Sequence, residues 1–405
     1  MFTPLRTLHR IVRSIGSAVL YPWSRIVVAG SLCTDAQISL RSIRRRPNEL
    51  VLTTSNASWS VDVVQNKEAL VPGTKLTAAN PDSFDRSLAQ AQRQQWGGGG
   101  YNSVCALMDH PDHVVDEIRD IALVMESEPP AELAEELRGR GVSVTPVGRR
   151  PWQKNVVLLN PGSGERDIVR GPTRPSLREV LVPGWRWMLT RFRHSMRALL
   201  INSVRCEPLI EHLINQAGRN AAPVFAVLTR TSSPNLRLRV LLRHSDVAIC
   251  NLDEFADLCA LAMNHTDAVL DESSANLEDL AAKLQALVRR TASRSAILLT
   301  LGSRGCLIYD PTTREVCHGR VSPTLMEATA LALAQQPDLR NGAGDAFAAY
   351  LLLAWLQGAA AGIPRGQLTL HAARQAALDI VRVRFGVGGA CLEDVQVSAL
   401  LAAAV

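Results

Sequence analysis

From Ile121 onward the sequence alternates short apolar runs with stretches of helical spacing, and this alternation restricts the possible folds more than any other feature. The runs are IALVM from Ile121, NVVLLN from Asn155, RALLIN from Arg197, PVFAVLT from Pro223, DVAICN from Asp246 and AILLTLG from Ala296. Helical stretches such as 131–139, 207–217 and 275–290 fall among them. A strand that is apolar on both faces must be covered on both, and helices returning the chain to the same sheet edge supply that cover. The pattern therefore predicts an α/β chain with a doubly wound, mainly parallel sheet. Arg25–Gly30 (RIVVAG) reads as a further buried strand at its start. With 405 residues, 47% hydrophobic and 20% charged, the chain can bury a large core and is too apolar to stay disordered.

The segments outside the alternation are expected to be less regular. Residues 41–96 are polar with alternating pieces such as Trp59, Val61 and Val63, and read as exposed strands and loops. We take 36–96 as a small β lid on a domain spanning 25–405. Gly97–Gly100 leads into a core helix beginning at Tyr101–Met108, which Asp109–His113 interrupts. His110 and His113 stand three apart, a spacing open to a metal, but Pro111 between them favours an exposed loop. Leu325–Gln336, Ala343–Leu356 and His371–Val383 read as helices.

Residues 1–24 form a basic amphipathic extension, with Leu5, Leu8, Val12, Ile15 and Val19 set among Arg6, Arg10 and Arg13 and no acid before Asp35. A targeting peptide or a membrane-surface helix would have this pattern, and a docking extension before the first strand is the favoured reading. No run of 18 uncharged apolar residues occurs, so no membrane span is expected. Eight cysteines without a CxxC pair read as reduced thiols of a cytoplasmic protein. The net charge of +6 comes from scattered arginines. The densest run, Arg41 with Arg44–Arg46, has no interleaved aromatic residue, which argues against nucleic acid as a partner.

The segment richest in chemistry is Asn341-Gly342-Ala343-Gly344-Asp345-Ala346-Phe347, a glycine turn opening an apolar helix. Glycine lets the backbone approach an anion, and the first helical N–H groups and the helix dipole point at it. Gly342, Ala343 and Gly344 therefore form a candidate anion hole. Asp345, on the first turn, is placed to accept a hydroxyl proton beside a transferring phosphoryl group.

Gly342–Asp345 with the following Ala-Phe resembles the GAGD signature of the ribokinase-like (PfkB) carbohydrate kinase family. Other elements resemble that family in its chain order. Gly30-Ser31-Leu32-Cys33-Thr34-Asp35 is similar to the first strand end, and Gly97-Gly98-Gly99-Gly100-Tyr101-Asn102 to the GGxxxN element. Gly164-Glu165-Arg166 resembles a GER turn, Asn251-Leu252-Asp253-Glu254 the NxxE element, and Thr300–Gly305 the TLGxxG strand end.

The resemblance implies ATP-dependent phosphorylation of a sugar or sugar-like hydroxyl, with Mg2+ as cofactor and Asp345 as base. It implies acceptor contacts from Asp35, Gly97, Gly98 and Asn102 and nucleotide contacts from Thr300, Gly302 and Gly305. Asn251 and Glu254 would serve the metal, although NxxE is also an ordinary capped helix start. It admits a homodimer formed through the lid. A nucleoside kinase of the same fold and a non-catalytic binding protein that keeps the fold are the alternatives. The chain departs from the family at Ala372-Ala373, where an Ala-Asn pair often packs on adenine, leaving apolar contact for the base.

A second departure is Leu339, which stands where the family usually has an aspartate near a monovalent-cation site, with Asp338 displaced by one residue. Leucine offers no oxygen ligand, and adjacent side chains of an extended segment point to opposite faces. Turnover is therefore expected to change little when sodium replaces potassium at constant ionic strength, while still requiring magnesium. A several-fold potassium activation that disappears in Asp338→Ala would show that the neighbouring carboxylate restores the site.

Overall fold

The computed structural model describes residues 24–64, 75–111, 118–160, 165–171, 181–229, 235–263, 276–336, 339, 342–390 and 395–401. The extension up to residue 23, and also Asp112, His113, Gly164, Asp338, Asn341 and Cys391, lie outside the described residues.

The strands of the main sheet are, in chain order, β1 (Ser24–Gly30), β8 (Ile118–Ser127), β9 (Val142–Arg150), β12 (Met196–Asn202), β13 (Val224–Val227), β14 (Val247–Asn251), β15 (Ala296–Thr300), β16 (Cys306–Tyr309), β17 (Val316–Val321) and β18 (Val395–Leu401). Across the sheet they run β18-β17-β16-β15-β14-β13-β12-β1-β8-β9. Pairing is parallel from β9 to β15 and antiparallel from β15 to β18. From β1 the chain first winds outward through β8 and β9, then returns to β12 on the other side of β1. The order thus reverses between β1 and β12, and a crevice opens at the carboxyl ends of strands where such a reversal occurs.

The alternation within β1 shows why the sheet needs two helical layers. Val27 and Ala29 face a core shared with Leu209 and Leu213 of helix Glu207–Asn220 and Leu280 and Leu284 of helix Leu277–Thr291. Ile26 and Val28 face the opposite core, with Leu107 of helix Gly99–Asp109 and Leu351 of helix Ala343–Ala360. The Ala343–Ala360 helix is packed on most of its circumference, which accounts for its almost wholly apolar Ala/Leu sequence. Among the described residues no helix is long and apolar enough to cross a membrane.

The second sheet is built from β2 (Cys33–Ser39), β3 (Ser42–Arg46), β4 (Glu49–Thr53), β5 (Ser58–Val64), β6 (Lys75–Ala78), β7 (Arg93–Gly97), β10 (Gln153–Asn160) and β11 (Glu165–Arg170), in the order β3-β4-β5-β6-β11-β10-β2-β7. Two expectations are corrected here. NVVLLN belongs to this sheet, as β10 beside β2, and not to the main sheet. No helix separates it from β9, so the chain does not cross back over the main sheet at that point. The polar segment 41–96 also encloses a core of its own: Leu50, Leu52, Val61, Val63, Phe84, Val156 and Leu158 pack together under helix Pro81–Ala89. Its polarity belongs to the opposite face of the alternating strands. Within β3, Arg45 reaches the fully buried Asp167 at 2.7 Å, so part of the basic run is structural.

The approach of helix Gly99–Asp109 to β1 depends on glycine at both contact points. A β-carbon on Gly30 would lie 2.4 Å from the α-carbon of Gly100 and 2.8 Å from the carbonyl oxygen of Asn202. Gly30→Ala is expected to destabilise the fold by about 1–3 kcal/mol through overpacking, read as a lower urea midpoint at unchanged slope. An unchanged midpoint would show that this helix can move away from β1 at no cost.

Candidate active site

The crevice at the strand reversal is a cleft of about 290 Å³ between the main sheet and the polar face of the second sheet. Its lining includes Asp35, Gly98, Asn102, Asn251, Glu254, Thr300 and the Gly342–Asp345 turn. Residues that lie far apart in sequence therefore converge on one cavity.

The Ala343–Ala360 helix begins at Gly342, whose φ of 76° is left-handed and whose position takes no side-chain cap. A β-carbon there would also meet the Asn102 amide at 2.7 Å, so both backbone geometry and space require glycine. A β-carbon on Gly344 would meet nothing within 4 Å, which leaves the first turn of the helix open to the cavity. Asp345 follows, half-buried, with each carboxylate oxygen accepting an amide hydrogen bond. Asn102 Nδ2 donates to Oδ2 at 2.8 Å and Asn202 Nδ2 donates to Oδ1 at 2.9 Å. Two fixed donors hold the carboxylate in one orientation at the mouth of the helix.

Asn202 is fully buried at the end of β12, and its amide also donates to the Gly99 carbonyl at 3.2 Å and to Ser103 Oγ at 3.0 Å. A β-carbon on Gly99 would fall 2.3 Å from Asn202 Oδ1, so that glycine makes room for the amide. Gly97 does the same for Asp35, whose Oδ2 would lie 2.3 Å from an added β-carbon. Asp35 is 4% exposed and accepts from Asn155 Nδ2 at 2.8 Å and from Cys33 Sγ at 3.3 Å. Burial, with the Asp35 charge as the next cause, pushes the Cys33 thiol well above its ordinary range, so it stays protonated and donates.

On the other side of the cleft Asn251 and Glu254 form a reciprocal capping pair. Glu254 N–H donates to Asn251 Oδ1 at 2.8 Å and Asn251 N–H to Glu254 Oε2 at 3.0 Å. Both still line the cavity, as does Thr300 at the end of β15. Gly302 and Gly305 sit in the turn after Thr300 and are not among the lining residues. Gly305 is needed there because a β-carbon would meet the Gly319 carbonyl oxygen at 2.0 Å.

Three sequence expectations are altered by this geometry. Asn102 holds Asp345, a contact that the acceptor role assigned to it did not anticipate. His110 is buried and not part of an exposed loop, with Nε2 3.3 Å from Asp379 Oδ2 and its ring 5.2 Å from that of Tyr350. Ala372 and Ala373 are buried in the helical core instead of facing the cleft. Sequence reasoning also missed Asn202, Asn155, Arg170 and Arg205. The one available signal was the polar residue that ends the RALLIN run, at the carboxyl end of a buried strand. Among the described residues no group of three or more His, Cys, Asp or Glu side chains forms a metal cluster.

The profile described as pfkB family carbohydrate kinase matches residues 73–362 of the chain. Among curated proteins no match is found. Ribokinase from Giardia lamblia is similar in structure, with 16% identity, a TM-score of 0.56, and coverage of 89% of this chain and 94% of that one. Adenosine kinase from Anopheles gambiae, in complex with P1,P4-di(adenosine-5) tetraphosphate, has 16% identity and a TM-score of 0.54, covering 90% of this chain and 98% of that one. Ribokinase from Arabidopsis thaliana, complexed with ribose and ATP, has 15% identity and a TM-score of 0.51, covering 92% and 95%. At these identities the likeness is one of fold, and the fold is ribokinase-like.

Asn202→Ala would strip donors from three acceptors at once, Asp345 among them. We expect a loss of about 1–3 kcal/mol, the range for buried groups left unpaired. Hydrogen exchange should quicken in peptides covering the start of the Ala343–Ala360 helix and not in the second sheet. Unaltered exchange at the helix start would show that Asn102 alone holds the turn.

Proposed function

The chain belongs to the pfkB family of carbohydrate kinases, and from that premise we propose that it transfers the γ-phosphoryl group of ATP to a hydroxyl of a sugar or sugar-like molecule bound in this cleft. The observation that carries the reading is the Asp345 carboxylate, held by two asparagine amides at the uncapped start of a buried helix. Such a carboxylate is oriented before any substrate arrives, so little is spent on ordering it during the reaction.

In the proposed step the acceptor oxygen bonds to the γ-phosphorus, and the bond from that phosphorus to the β,γ-bridging oxygen breaks. ADP leaves with the bond's electron pair. The hydroxyl proton passes to Asp345, and the N–H groups of Gly342, Ala343 and Gly344 stabilise charge on the transferring group. Asp35, with Gly97 and Gly98 beside it, orients the acceptor, and Asn102 acts on it through Asp345. Thr300 lies on the nucleotide side, while Gly302 and Gly305 shape the turn that presents it.

Asn251 and Glu254 offer an amide and a carboxylate at the cavity, oxygen donors of the hard kind that magnesium prefers. Each already accepts a main-chain hydrogen bond, so they suit a magnesium ion held through water. When bound, magnesium supplies charge neutralisation of the nucleotide phosphates. The second sheet, built from β2–β7 together with β10 and β11, acts as the lid that keeps water from competing as acceptor.

The test is ADP formation across sugars and nucleosides side by side. Asp345→Asn is expected to lower kcat by roughly 10²–10⁴, the range for a lost general base, with ATP binding nearly intact by calorimetry. Near wild-type turnover in that variant would remove Asp345 from the role of base.

A further inference from the structure

We propose that the acceptor is an anionic sugar, bearing a phosphate or a carboxylate apart from the hydroxyl that reacts, and that Arg205, with Arg170, receives this charge where the lid meets the loop after β12. The inference rests on the kinase reading above and names its substrate class.

Among the described residues, the cationic side chains in the lining of the cleft are Arg170 and Arg205, and both stand on the side of Asp35. Among the described residues, Asn251, Glu254 and Thr300, on the nucleotide side, have no lysine or arginine with them in that lining. The two arginines arrive from different parts of the fold. Arg170 ends β11 and pairs in register with Asn155, which in turn pairs with Asp35. These three positions form a row across the polar face of the lid. Arg205 follows β12 from the main sheet and reaches the same row, its Nη2 donating to Gln153 Oε1 at 3.5 Å while Gln153 Nε2 donates to Asn155 Oδ1 at 3.0 Å.

Arg205 makes no ion pair among the described residues. Glu126, the acid whose charge acts on the Arg205 guanidinium, has its two oxygens held by other groups. One of its oxygens accepts the main-chain N–H groups of Arg205 and Cys206, and the other pairs with Arg150 Nε at 3.0 Å. The remaining acids of the cleft are also held: Asp35 by Asn155 and Cys33, Asp345 by its two asparagines, and Glu254 by the Asn251 N–H. Burial first, and then the like charge of Arg150, lower the pKa of Arg205, with Glu126 opposing. Arginine stays charged under such pressure. A half-buried guanidinium with no direct ion pair is costly to keep, and an anion entering the cleft offsets that cost. The planar fork of the guanidinium matches the paired oxygens of phosphate or carboxylate.

Matched neutral and charged sugars test this: D-fructose against D-fructose 6-phosphate, and D-glucose against D-gluconate, each by calorimetric binding and by ADP formation. The charged member of at least one pair is expected to bind tenfold or more tightly than its neutral partner, and the pair that shows it distinguishes phosphate from carboxylate. Arg205→Gln, which keeps a polar side chain for Gln153, should abolish the difference, Arg205→Lys should retain part of it, and ATP affinity should change less than twofold in both. A purely structural role for Arg205 would weaken neutral and charged sugars alike. The proposal is overturned if neither pair shows a preference, if the preference survives Arg205→Gln, or if ATP affinity falls as much as that of the charged sugar. ADP formation with neutral sugars alone overturns the anionic acceptor and leaves the kinase reading standing. Charge-selective binding without ADP formation from any sugar overturns the kinase reading and with it the acceptor role, and leaves only an anion-binding site at Arg205.

Discussion

The backbone contact of Gly30 with Gly100 sets the distance on which the rest of the cleft depends. With no side chain at either position, the start of helix Gly99–Asp109 lies directly against the end of β1 and beside the end of β12. Gly100 N–H donates to the Ser31 carbonyl at 2.9 Å, and Ser31 N–H to the Asn202 carbonyl at 3.3 Å, so the three segments are tied through main-chain groups. This closeness lets the Asn202 amide reach Gly99, Ser103 and Asp345 together. A separation larger by one methyl group would break the set. The orientation of Asp345 thus follows from backbone packing at a strand end as much as from its own helix.

The second sheet contributes a second kind of constraint. Its strands alternate between an apolar face under helix Pro81–Ala89 and a polar face carrying Cys33, Asp35, Asn155 and Arg170 toward the cleft. Because the period of a strand is two, both faces are specified by one register, and a slip by one residue would exchange them. The pairing of Asn155 with Asp35 joins chain segments 120 residues apart, and their side-chain bond of 2.8 Å holds the register from the polar side as well. The fully buried Asp167, paired with Arg45, anchors the far part of the same sheet.

Electrostatically the cleft is divided. Asp345 and Glu254 stand by the helix starts, where main-chain N–H groups and amides surround them. Arg170 and Arg205 stand where the second sheet meets the main sheet. In the proposed reaction this arrangement would separate the place where charge is transferred from the place where charge is recognised, which would limit competition between the two ends of a substrate for the same cation.

The α/β class, the parallel sheet, a helix following the Gly97–Gly100 run, the helix start at Ala343 and the glycine turn before Asp345 were legible in the sequence alone. They are local consequences of periodicity and of glycine's access to turn conformations, and neighbours in the chain suffice to express them. The placement of NVVLLN in the second sheet, the burial of His110 and the double amide grip on Asp345 were not legible. Asn102 and Asn202 lie 243 and 143 residues from Asp345, and a polar residue at a strand end carries no mark of its eventual partner. Strand order decides that partner, because the reversal between β1 and β12 brings distant segments to one crevice. The sequence by itself determined which elements form and which faces they bury, and only the tertiary structure decided which polar groups meet, since hydrogen bonds act over about 3 Å and that distance is set by packing.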